Sequence, residues 1–247
     1  MNTNQTINIL IEAKDRLHTF PKWKSVSPHS ILDLVACIKN VFPKTRYGIK
    51  FIMSEDSEVT PNTLQISGLF HAKDKCSWTV ERPRRSPDIF ITIHYNKSNF
   101  NNIKFTKKDY YQFLFRLYAT ISHEIIHRSQ WSRIRSKEVP AEHSVWYKYY
   151  SSKCSDSKKR DEQEYLGSHI EIDAYAHDYM LDLERASLES GLTPLQLLRK
   201  HKTVIIQDSV LDDYLKVFDY DFSHPAIKRL LQRTRFWIKK YSSISTK

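Results

Sequence analysis

The chain has 247 residues, 40% of them hydrophobic and 13% aromatic, and carries 39 Lys or Arg against 28 Asp or Glu for a formal net charge of +11. That length suits one large domain or two small lobes with a sizeable core. Only four glycines are present and neither G-x-x-x-x-G-K nor G-x-G-x-x-G occurs, which excludes the glycine-loop nucleotide-binding classes, and no apolar run approaches the roughly 18 residues of a membrane span, so no membrane partner is expected.

The first 30 residues read as an N-terminal extension with one short helix over Thr6–Leu17, and they lack the basic and long apolar regions of a secretory signal. Cys37, Cys76 and Cys154 are odd in number and widely spaced, so they form no disulfide framework, and a reducing, cytoplasmic compartment is expected. Residues 31–247 read as one domain. It opens on a helix whose Ile31, Leu34, Val35, Ile38 and Phe42 recur at helical spacing, with Ser30 as N-cap and Pro43 as stop. The period then changes. Strands are expected over Tyr47–Ser54, Thr63–Ala72, Cys76–Glu81 and Asp88–Asn96, with a hairpin turn between the second and third. The last of them, DIFITIHYN, alternates β-branched and aromatic residues most clearly.

From Lys107 to Ser129 the pattern is helical again. Thr106 and Asp109 have the spacing of a capping box, with Asp in place of Glu, and Leu114, Tyr118, Ile121 and Ile125 form an apolar stripe. Residues 131–167 are a polar, basic excursion with helical pieces expected around Ala141–Tyr150. A helix over Ser168–Ser190 stops before Gly191. Three more helices follow, the last starting at Pro225.

The chemistry sits in the stretch ISHEIIH. His123, Glu124 and His127 spell H-E-x-x-H inside a predicted helix. Residues i and i+4 share one helix face, so both imidazoles can bind one zinc ion at about 2.0–2.1 Å. Glu124 lies about 100° around the helix from His123, outside the ligand set but near a metal-activated water. It can take that water's proton and pass it to a leaving amine. The plainer alternative is a solvated His-Glu pair on a surface helix; a shuffled chain of this composition holds only about 0.02 copies of the motif, which weighs against chance.

Two histidines leave a catalytic tetrahedron short of one protein ligand. Glu171 is favoured, with Asp173, His169 and, more remotely, His143 as alternatives. Ser168 and Glu171 also form S-x-x-E, so Glu171 is open to a purely capping role. Tyr175, one turn further on, can offer a phenol to the site as a catalytic group, and Asp178 is placed to hydrogen-bond a metal-binding histidine.

HEIIH together with EIDAYA (Glu171–Ala176) resembles the zincin metallopeptidases whose third ligand is glutamate. Compact intracellular relatives of that kind include the repressor-cleaving proteins of mobile elements, SprT-like proteases and plasmid antirestriction proteins. No G-x-x-H follows His127, so the three-histidine branch does not apply, and Tyr175 stands where an Asp often supports a zinc histidine. The resemblance implies an α+β fold. A small twisted sheet and the H-E-x-x-H helix would form an N-terminal lobe over residues 31–130, with a mostly helical C-terminal lobe over 168–247. It also implies Zn2+ held by His123, His127 and Glu171, with Glu124 as general base and a protein or peptide substrate. DIFITIHYN would then be an edge strand that pairs with substrate backbone; an interior, doubly paired strand is the other possibility.

The basic charge is concentrated. Residues 224–247 hold seven Lys or Arg and no acid, and residues 128–160 hold nine basic against three acidic side chains. Arg229, Arg233 and Lys240, interleaved with Phe236, Trp237 and Tyr241, can bind phosphates and stack bases; alternatively the apolar residues are core and the charges only solvate the outer face. Two functional classes follow: a zinc-dependent peptidase acting on proteins associated with nucleic acid, or a nucleic-acid-binding accessory protein of a phage or other mobile element that uses the scaffold without proteolysis.

Overall fold

The structure, a computed structural model, describes residues 3–18, 31–42, 48–60, 63–70, 89–99, 106–136 and 155–245. Among them the protein is α+β and mostly helical, with one small mixed three-stranded sheet. The expected strand Cys76–Glu81, the helical pieces at Ala141–Tyr150 and His143 lie outside the described residues. The chain divides into two compact units, Asn2–Arg128 and Ser129–Lys247.

In the first unit, helix α1 (Thr3–His18) buries Ile7, Leu10 and Ala13. Its Leu10 carbonyl accepts a hydrogen bond from the Tyr118 hydroxyl at 3.2 Å. Helix α2 (Ile31–Val41) buries Leu34, Val35 and Ile38 at the expected spacing, with Phe42 behind them. Strands β1 (Ile49–Glu55), β2 (Leu64–Phe70) and β3 (Ile89–Tyr95) follow.

The sheet order is β1-β3-β2, with β3 parallel to β1 and antiparallel to β2. This overturns the reading of DIFITIHYN as an edge strand: β3 is hydrogen-bonded on both sides. Its alternation is complete, with Ile89, Ile91, Ile93 and Tyr95 buried, a pattern that an interior strand with one covered face shares with an edge strand.

Helix α3 (Lys107–Ser136) starts with the expected reciprocal cap. The Asp109 amide donates to Thr106 Oγ1 at 3.2 Å, and the Thr106 amide donates to Asp109 Oδ2 at 3.3 Å. The expected stripe, Leu114, Tyr118, Ile121 and Ile125, is buried. The helix outruns its predicted end at Ser129, because no Gly or Pro follows to stop it before Pro140.

In the second unit, helix α4 (Ser157–Leu166) buries only Gln163 and Leu166, so no apolar stripe marks it in the sequence. It is held by polar ties instead. Gln163 donates to the Val217 carbonyl at 2.7 Å, and the Tyr214 hydroxyl donates to the Leu166 carbonyl at 2.9 Å. Helix α5 (His169–Ser190) is capped by Ser168 and ends on Gly191, whose φ of 69° favours glycine at this C-cap. Helix α6 (Pro194–Arg199) begins with a full Thr193–Gln196 capping box. Helices α7 (Val210–Val217) and α8 (Pro225–Ser245) complete the unit, and α5 packs chiefly along α8. Among the described residues no helix is long and apolar enough to cross a membrane.

Asp182 on α5 is buried and accepts from the Val210 amide at 3.0 Å, capping α7 from another helix. Burial pushes its carboxyl up from 3.8 to about 6, against the lowering effects of that hydrogen bond and of Arg185. A raised carboxyl favours the protonated form in the fold. Its contribution is therefore present below about pH 4 and is lost as pH rises through about 6. Asp182→Asn keeps an acceptor for Val210 without the buried charge. It is expected to exceed the wild type by about 1–3 kcal/mol at pH 8 and to match it at pH 4, as measured by chemical denaturation at both pH values.

Candidate metal centre

On α3 every residue from Ile121 to Ile126 is buried, the polar Ser122, His123 and Glu124 included; His123 is 9% exposed and Glu124 is 6% exposed. This is not the solvated face of a surface helix. Burying an imidazole and a carboxylate on one turn is unfavourable unless each has a partner or an ion to serve. The spacing of i and i+4 sets the His123 and His127 rings 4.7 Å apart, edge to face.

Glu171 is in the first turn of α5. The Ser168 side chain accepts from the Glu171 amide at 3.2 Å, while the Ser168 amide donates to the Tyr165 carbonyl at 3.1 Å. The cap thus uses the backbone amide of Glu171 rather than its carboxylate. One donor atom from each of His123, His127 and Glu171 lies within 4.8 Å of the other two, close enough to hold a metal ion. A His2Glu donor set suits a borderline ion such as zinc, and three protein ligands leave the fourth tetrahedral position open.

Asp173, the closest rival for third ligand, is engaged elsewhere. Its Oδ1 accepts from Arg233 Nε at 2.6 Å and also contacts the Arg233 terminal nitrogen, and its carbonyl accepts from Trp237 Nε1 at 3.0 Å. His169, the other alternative on α5, does not belong to the three-residue group. Gln130, one turn past His127, donates to the Ile170 carbonyl at 3.0 Å and reaches Asp173 Oδ2 at 3.5 Å. These bonds tie the last turns of α3 to the first turn of α5, next to Glu171.

Tyr175 packs edge-on against Tyr214 at 5.7 Å between centroids. The sequence reading missed Tyr165, at the end of α4. Its hydroxyl is hydrogen-bonded to Glu171 and Tyr175, and burial of that hydroxyl, then the Glu171 carboxylate beside it, push the phenol well above its ordinary value. No motif flags it; its proximity comes from the short α4–α5 turn at Gly167. Asp178 Oδ1 lies 3.7 Å from Nδ1 of the buried His177, whose Nε2 is 2.8 Å from the Tyr241 hydroxyl. Beside Tyr175 opens a cavity of about 710 Å³, with Leu166, Val210, Tyr214 and Val217 in its walls. Lys159 and Lys216, also on the cavity, pair with Asp219 and with Asp212, so their charges are offset.

The residues read as a nucleic-acid surface have other neighbours. Arg233 is held by Asp173 and lies over the Phe236 ring at 4.3 Å, Arg229 donates to Gln232 at 3.2 Å, and Lys240 is 5.9 Å from the Phe236 centroid. Trp237 and Tyr241, expected to be available for stacking, are buried with Leu230 and Ile238. On the sheet, Ser67 Oγ is 2.8 Å from His94 Nε2, but Asp56 Oδ2 is 3.9 Å from His94 Nδ1, outside hydrogen-bond reach for a nucleophilic triad.

Compared with protein-family models, curated proteins and solved structures, the chain matches none. The site therefore stands on its own geometry. Elemental analysis of the purified protein is expected to give about one bound metal ion per chain, lost in His127→Ala and in Glu171→Gln. Asp173→Ala should keep the metal while losing about 2–3 kcal/mol of stability. That is somewhat less than a fully buried pair would cost, because the Arg233 side chain is 20% exposed.

Proposed function

We propose that this protein is a zincin-type zinc peptidase. The observation that carries the reading is the convergence of His123, His127 and Glu171 with a buried glutamate directly following the first of them. A zinc ion held by these three side chains supplies Lewis acidity that makes water deprotonation feasible near neutral pH. Glu124 is the general base: it accepts the proton of the attacking water and delivers it to the leaving amine. Its burial keeps bulk water from competing for that proton.

The substrate is a peptide in extended form. Among the described residues β2 has β3 on one side only, and its Gly68 lies against Glu124. In this proposal β2 takes the backbone-pairing role first assigned to β3. The cavity beside Tyr175 is lined by apolar and aromatic side chains together with three acidic and three basic ones, so it carries no net charge and suits an uncharged substrate side chain. Tyr165 hydrogen-bonds both the Glu171 carboxylate and Tyr175, and so orients the ligand carboxylate.

Glu124→Gln preserves shape and removes the base. It is expected to retain zinc while hydrolysis of an unstructured protein falls about 10²–10⁴-fold, measured by peptide mapping of timed digests. Full biological activity in that variant would point instead to a zinc-bearing binding module.

A further inference from the structure

We infer that Gly68 is a positioning residue for the Glu124 carboxylate. The inference rests on the peptidase reading for its catalytic consequence, but the contact itself does not depend on it. Glycine is unfavourable in the middle of a strand, because it contributes no side chain and loses the most backbone freedom. Gly68 nevertheless occupies the fifth position of seven in β2, paired with Ile91.

Conformation does not demand it. Among the described residues the glycines with positive φ are Gly48 and Gly191, so Gly68 has backbone angles open to any residue. Space demands it. A Cβ at this position would stand 2.6 Å from Glu124 Oε1, 2.7 Å from Glu124 Cγ and 2.8 Å from Thr120 Cγ2. Thr120 and Glu124 are one helical turn apart and share a face, so the bare strand backbone settles directly on the turn that carries the base.

The consequence is directional. On one side the main chain of β2 is a wall for the Glu124 carboxylate, and that wall cannot rotate away as a side chain would. An added methyl leaves the sheet intact most cheaply by swinging the glutamate, the longer and more flexible neighbour. The atoms that such a methyl would meet first belong to Glu124 and Thr120, and neither His123 nor His127 is among the three nearest. Proton transfer, by contrast, tolerates little misplacement: an error of about 1 Å can cost about 10²-fold in rate.

The test is Gly68→Ala, alone and combined with Glu124→Ala, each assayed for zinc content, thermal melting and steady-state hydrolysis. Zinc stoichiometry should equal the wild type's, KM should stay within about twofold, and kcat should fall by about ten- to a hundredfold. The melting-temperature loss caused by Gly68→Ala should be smaller in the Glu124→Ala background, where the clashing side chain is gone. Unchanged kcat, loss of zinc, or an equal melting loss in both backgrounds would overturn the inference. If Gly68→Ala does not fold but the double variant does, the contact is upheld; if neither folds, the glycine serves sheet packing and the inference fails. A wild-type protein that binds zinc without hydrolysing peptides removes the peptidase reading alone, and the melting comparison still decides the contact.

Discussion

One buried turn of helix sets the terms for this protein. Between Ile121 and Ile126 the chain places a hydroxyl, an imidazole and a carboxylate out of solvent, together with the isoleucines that pack around them. Such a turn is costly in a structural core and useful in a site, because low-dielectric surroundings strengthen whatever electrostatic interaction the groups make. The rest of the first unit serves that turn. The reciprocal cap at Thr106 and Asp109 starts the helix, the Tyr118–Leu10 hydrogen bond ties it to α1, and β2 closes over Glu124 at Gly68.

The second unit holds its contribution with similar economy. Two residues past Glu171, Asp173 binds Arg233 through its side chain and Trp237 through its carbonyl, and Gln130 reaches the same first turn of α5. Ser168 caps the turn through the Glu171 amide. The ligand carboxylate therefore projects from backbone that is fixed at several points, the condition for a preorganised metal site. A rigid first turn also explains how Glu171 can serve a cap and a metal at once: amide and carboxylate are separate groups.

Local physics was legible in the sequence and non-local pairing was not. H-E-x-x-H could be read because helix period and ligand chemistry both act within five residues. The Ser168 cap and the Gly191 stop could be read for the same reason. The place of β3 in the sheet could not, since an alternating strand looks the same at an edge or in the middle. Helix α4 escaped notice because its stability lies in hydrogen bonds from Gln163 and to Leu166 rather than in an apolar face. Arg233 looked like a phosphate ligand because its partner Asp173 lies sixty residues away in the chain. Gly68 gave no sign at all: the space that it leaves is visible only once Thr120 and Glu124 stand opposite.

The clasp between Asp173 and the C-terminal helix has a genetic corollary. Arg233, Trp237 and Tyr241 lie on successive turns of α8 and each meets α5, at Asp173 or at His177. A premature stop codon between Glu171 and Arg233 would erase all three braces together while leaving every residue of the candidate metal site encoded. Lesions far along the chain from the motif would then reach the candidate metal site, and screens for alleles that fail to hold a metal should collect them between Glu171 and Arg233 as readily as in the motif itself.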